Sequence, residues 1–236
     1  PIFSLRCRVK LGPNESISVG FATGVAATRE EALLLAEQFH DPRGIQRGFE
    51  LAWAYHQVEL RHLHLSAARA HLYQRLASSL LYPDATFRGE ESVIATNRLG
   101  QSSLWKYGIS GDVPLMLVHV TKPEQLPNVK ELLLAHEYWN RLGLKIDLGL
   151  INDYPGSYVD SLNEQLVGAL SGLQHSPDAK VRGVYLLRAA QMTPEDQTLL
   201  ETAASVVWNV EEGSVGRQLA NRPQRARSSA SSDHSA

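Results

Sequence analysis

The stretch Asn97-Arg98-Leu99-Gly100-Gln101-Ser102-Ser103-Leu104-Trp105-Lys106-Tyr107-Gly108-Ile109-Ser110-Gly111-Asp112 is the most unusual text in this chain. It mixes glycines, two aromatic rings and many hydrogen-bonding side chains. Such a mixture suits a loop that lays an aromatic face on a sugar ring and offers amides and carboxylates to its hydroxyls. On that reading Gln101, Trp105, Tyr107, Ser110 and Asp112 are substrate contacts. A plainer reading stands beside it: a connector whose Trp105 and Tyr107 plug a joint and whose glycines permit positive φ. Position favours the plainer one, because the loop precedes a strand, whereas ligands of open α/β sheets usually sit beyond the carboxyl ends of strands.

Those carboxyl ends hold a second set, His119, Asn152, Asp153 and Arg188, which could converge into a polar cleft. Helix capping and solvated loop ends explain the same residues. A third set, His56, Glu59, Arg61, His62, His64 and His71, belongs to a helical zone. His62 and His64 stand about 200° apart on a helix and cannot share an ion there. His56, Glu59 and His62 lack the two histidines four apart, with glutamate next to the first, of a metalloprotease. No metal site is expected, and Glu59 is expected to pair with His62 or Arg61. Phosphate-loop, dinucleotide-loop and nucleophile-elbow motifs are absent, so no catalytic residue is assigned.

The elements that must position these residues follow from patterning. Residues 2–26 alternate: Phe3, Leu5, Cys7 and Val9 share one face, Gly12-Pro13-Asn14-Glu15 signals a turn, and Ile17, Val19 and Phe21 resume. This predicts a β-hairpin, the end of a truncated β-sandwich over 1–27. Residues 28–82 predict helices: Thr28 has capping-box spacing, Asp41-Pro42-Arg43-Gly44 breaks the run, and Ser66 caps the next helix. Residues 84–112 read as a connector, so 28–112 forms a helical linker. From 113 to 221 an α/β module is expected. Leu115–Val120, Ile146–Ile151, Val184–Leu187 and the short Val206–Trp208 are its strands. Between them lie helices marked by Val129 to Leu142, Tyr158 to Leu173, and Thr193-Pro194. Such an array makes a parallel sheet. Residues 222–236 are Arg-, Ser- and Ala-rich and read as a disordered tail. The fold class is therefore mixed α/β.

Composition excludes several functions. The 236 residues carry 23 Lys+Arg against 25 Asp+Glu, a formal net charge of −2, which is not the footprint of a nucleic-acid binder. No run approaches ~18 apolar residues, so no bilayer span is expected. Cys7 is the single cysteine, which rules out an internal disulfide. The opening Pro1-Ile2-Phe3-Ser4-Leu5 lacks a secretory signal's basic lead-in and starts inside a strand-like run, as a piece of something larger would.

From Gly100 to Val118 (Gly-Gln-Ser-Ser-Leu-Trp-Lys-Tyr-Gly-Ile-Ser-Gly-Asp-Val-Pro-Leu-Met-Leu-Val) the text resembles the cyclic β-1,2-glucan synthases. The resemblance takes in Phe21–Ala32, Phe49–Trp53, Gln57–His62, Val129–Trp139, Ser157–Leu162 and Gly183–Arg188, about residues 2–220 in all. It implies an interior slice of a very large bacterial inner-membrane protein, with this region in the cytoplasm. In that protein a membrane-embedded glycosyltransferase uses UDP-glucose, and a distal region similar to cellobiose-phosphorylase-type enzymes (glycosyltransferase family 36) adjusts chain length with phosphate. The implied partners are the rest of that chain and β-glucan, with no nucleic acid and no direct membrane contact. The implied cofactors are none in this piece. Phosphorylases of this type place their acid near a Tyr-Arg-Asp motif. None occurs here, so no catalytic residue is carried over. The Arg/Ser text after Leu219 departs from the family's, as a truncated or frame-shifted end would.

Two functions follow. One is a non-catalytic, glucan-contacting accessory segment. The other is a stand-alone α/β enzyme, which requires His119, Asp153 and Arg188 to converge on one substrate atom.

Overall fold

A computed structural model describes residues 4–82, 84–154, 161–171 and 183–221. The chain divides into two units, Pro1–Val58 and Glu59–Ala236.

In the first unit, residues 4–27 run without strand pairing. The predicted hairpin is not formed. Its turn is: the Glu15 N–H donates to the Gly12 carbonyl at 3.2 Å, with Asn14 at φ 61°. The alternating apolar residues are exposed, Leu5, Ile17 and Phe21 among them. A two-stranded hairpin is marginal without a sheet or helix to cover its apolar face, and this stretch buries none of it. Helix α1 (Arg29–Gln38) starts at Thr28, whose hydroxyl accepts the Glu31 N–H at 3.2 Å. Asp41 to Gly44, expected as a break, is where α2 (Pro42–His62) begins. Asp41 accepts the Arg43 N–H at 3.1 Å, and proline at the first helical position loses no intrahelical bond.

The second unit carries the packed body. Helix α3 (Ala67–Leu81) is capped by Ser66, as its spacing predicts. The connector is more ordered than expected. It contains α4 (Glu91–Thr96) and a 3-10 helix, Gln101–Tyr107. The module then runs β1 (Leu115–Val120), α5 (Leu126–Arg141), β2 (Asp147–Asn152), α6 (Ser161–Ser171) and β3 (Val184–Arg188). It ends with α7 (Pro194–Ala203), β4 (Val206–Asn209) and α8 (Val215–Asn221). Short β4 is a strand, and α8 had no sequence signal strong enough to be expected. Tyr158, Leu173 and the tail from residue 222 lie outside the described residues.

The four strands form one parallel sheet in the order β3-β2-β1-β4. Alternation along β1 divides its contacts. Met116, Val118 and Val120 join a core with residues of α3, α5, α6 and α8, while Leu115 and Leu117 join a second core with Leu199 and Leu200 of α7 and Leu104 of the 3-10 helix. Central β1 and β2 are buried on both faces, which is why their text is mostly apolar rather than alternating, with polar residues at His119, Asp147 and Asn152. Trp208 of β4 stacks on Phe87 at 6.0 Å with rings 7° apart, and each such pair adds about 0.5–1.5 kcal/mol beyond its buried area.

Candidate functional site

The loop between α4 and β1 folds back on itself and is clamped to α7. The Gln101 amide donates to the Ser110 carbonyl at 3.0 Å and to the Asp112 carboxylate at 3.1 Å. The Trp105 indole N–H donates to the same Ser110 carbonyl at 3.3 Å, and Ser110 Oγ accepts the Asp112 N–H at 3.1 Å. Gly108 and Gly111, at φ 77° and 78°, make the two reversals this requires. At Gly111 the need is double, because a Cβ there would also stand 2.9 Å from Gln101 Cγ.

The clamp is Asp196. It lies in the first turn of α7, is 3% exposed, and binds the Lys106 ammonium at 2.5 Å and the Tyr107 hydroxyl at 2.8 Å. The Lys106 hydrogen bond, with help from Tyr107 and Thr193, holds the Asp196 carboxyl below its ordinary range. Burial, with the Asp196 bond behind it, pushes the Tyr107 hydroxyl up to about 12, so it stays a donor. Thus four of the five proposed sugar contacts, Gln101, Trp105, Ser110 and Asp112, form one network, and Tyr107 fastens that network to the body. The Trp105 ring itself stays 64% exposed, because only its N–H is turned inward.

The strand-end residues are divided by the sheet. His119 Nδ1 lies 2.7 Å from Asp153 Oδ2, and its Nε2 lies 4.0 Å from Glu201 of α7. His119 is in register with Ile151, on the α7 face. Asn152 and Arg188 are in register with each other, two residues beyond Leu150 and Leu186 on the opposite face. Asn152 accepts the Tyr154 N–H at 3.0 Å, a local turn bond. The structure therefore brings His119 and Asp153 together and sets Asn152 and Arg188 apart from them.

The strand order reverses between β1 and β4, the place where open α/β sheets usually seat ligands. A polar cluster stands there that sequence reasoning missed. Glu211 accepts from Thr121 Oγ1 at 2.9 Å and Gln125 Nε2 at 3.2 Å, and pairs with Lys122 at 3.1 Å. The available signals were Thr121 just after one strand and Asn209-Val210-Glu211-Glu212 at the end of another.

In the helical zone, Glu59 is paired with Arg141 of α5 at 3.2 Å, a partner 82 residues away that no local spacing rule could name. Among the described residues, no group of three or more His, Cys, Asp or Glu is placed to hold a metal ion. Nor is any described helix long and apolar enough to cross a membrane. His136, also missed, is a structural histidine. One ring nitrogen meets the Ile146 carbonyl at 2.8 Å, the other the Asn140 amide at 3.2 Å, and burial lowers its pKa.

Residues 1–42 match a carbohydrate-enzyme family, described as the glycosyl hydrolase 94 supersandwich domain. That match covers the stretch whose alternation predicts the end of a β-sandwich. Over 93% of its length the chain is 29% identical to the cyclic beta-(1,2)-glucan synthase NdvB of Rhizobium meliloti (strain 1021), and it spans 8% of that protein. The resemblance read from the sequence is borne out. Both findings relate the chain to a carbohydrate-related protein of glycosyltransferase type.

Proposed function

We propose that this chain is a non-catalytic accessory module of a glucan-synthesising protein and contacts β-1,2-glucan through the loop at residues 97–112. The observation that carries this reading is the Trp105 ring, exposed to solvent yet oriented by its own N–H, inside the stretch similar to a glucan synthase. An oriented, exposed indole is a stacking platform for the C–H face of a pyranose. The partners on this reading are glucan and the remainder of a larger bacterial inner-membrane synthase, with this module on the cytoplasmic side. UDP-glucose and phosphate would be handled by other parts of that protein.

The enzyme reading needs His119, Asp153 and Arg188 at one reacting atom, and Arg188 leaves the sheet on the face opposite His119. That separation supports the accessory role. Titration calorimetry with linear β-1,2-gluco-oligosaccharides tests the reading. Binding is expected to fall at least tenfold in Trp105→Ala, with unfolding free energy lowered by no more than about 1 kcal/mol for the one hydrogen bond lost, because the ring is exposed. Absence of binding, or equal binding by the variant, would overturn it.

A further inference from the structure

Beside Trp105 the loop and α7 enclose a half-open cavity of about 290 Å³. Its buried lining is apolar, made by Leu104, Ile109, Leu115 and Leu199, and its solvent-exposed lining includes Gly100 and Gln101. None of its lining side chains carries a charge, so a phosphate, a nucleotide or a metal ion would find no counter-charge in it. A neutral ligand with one apolar face suits it. The volume lies just under the ~300–1,000 Å³ of drug-sized sites, a size suited to a single sugar ring.

Two details place this cavity in line with the exposed indole. Trp105 and Gln101 donate to the same carbonyl, that of Ser110, so the indole stands next to the cavity's edge. Gln101 spends its amide nitrogen within the loop, which leaves Oε1 to accept from a ligand hydroxyl. At Gly100 a Cβ would meet nothing within 4 Å, although the backbone there (φ −106°) accepts any residue. The space is open for want of a side chain, not because the backbone forbids one.

We infer that this cavity takes the terminal glucosyl ring of a linear β-1,2-glucan while Trp105 stacks on a ring further along the chain. The inference rests on the proposed glucan contact and adds a discrimination to it. A linear chain has an end to insert and a cyclic glucan has none, so the site separates unclosed chains from closed ones.

The test compares the intact 236-residue chain's affinity for a linear β-1,2-gluco-oligosaccharide and for a cyclic β-1,2-glucan, by calorimetry. The linear sugar is expected to bind at least tenfold tighter. Gly100→Leu, which adds bulk to the cavity's lining from an unstrained position, is expected to bring linear binding down to the cyclic level and leave cyclic binding unchanged. Equal affinity for both sugars in the native chain would overturn the end-pocket and leave the Trp105 contact standing. So would an undiminished linear preference in a folded Gly100→Leu. Failure of both sugars to bind would remove the contact itself and the inference with it. The native-chain comparison needs no variant and decides the matter even if Gly100→Leu does not fold.

Discussion

The loop at residues 97–112 and the carboxyl ends of β1, β2 and β3 hold similar stocks of polar side chains, and the fold treats them differently. In the loop, short-range bonds gather Gln101, Trp105, Ser110 and Asp112, and one buried carboxylate ties the assembly to α7. At the strand ends the pleat sends neighbouring residues to opposite faces. His119 and Asp153 meet, while Asn152 and Arg188 are carried away from them. A cluster held by a loop can use every residue, whereas one built on a strand can use only alternate positions.

The largest effect that would sharpen this contrast lies at the clamp. Asp196→Ala removes the buried carboxylate that accepts from the half-exposed Lys106 ammonium and the Tyr107 hydroxyl, and is expected to cost about 1–2 kcal/mol in urea unfolding. Hydrogen exchange should rise selectively over 101–112. The effect carries a pH signature. The folded Asp196 carboxyl is held below its ordinary value of 3.8, so its contribution is full above that value and is lost as pH falls through the lowered folded one. Native protein is therefore expected to lose more stability on acidification than Asp196→Asn. Equal acid sensitivity of the two would break the clamp argument.

A smaller effect is expected at the strand ends. His119→Gln and Asp153→Asn, partners that are each about a quarter exposed, should cost about 0.5–1 kcal/mol singly and show coupling in a double-mutant cycle. The corresponding cycle between His119 and Arg188 should show coupling within about 0.3 kcal/mol of zero. Coupling there would erase the division by face.

The smallest effect belongs to Asp147, at the start of β2. Burial raises its carboxyl pKa, the charge of Asp112 adds to that, and the bond from Tyr185 opposes it. A raised folded pKa means that the ionised carboxylate costs stability above it. Asp147→Asn is therefore expected to stabilise the chain by about 0.5 kcal/mol near pH 7, with the gain vanishing as pH falls through the raised value. Thermal melts at two pH values would measure it, and a gain that persisted in acid would contradict the burial account.

Much was legible without coordinates. Largely apolar runs at Leu115–Val120 and at 146–151, separated by an amphipathic segment ending at Gly143, specify buried parallel strands with a helix between. Side-chain caps at Thr28, Ser66 and Thr193 were readable because a cap and the N–H groups it satisfies lie within three residues of each other. Alternation at residues 4–21 was equally legible and still did not produce a hairpin. A strand's pattern states which face wants covering, not what covers it.

The chain's own text settled the four strands and most of the longer helices, its fold class and its likeness to glucan synthases, since each depends on neighbours close along the chain or on runs of residue type. The tertiary fold alone decided that Glu59 meets Arg141, that Asp196 holds Lys106 and Tyr107, and that Arg188 parts from His119. Those pairings join residues tens of positions apart, and their geometry comes from strand order and helix placement, which no short spacing encodes.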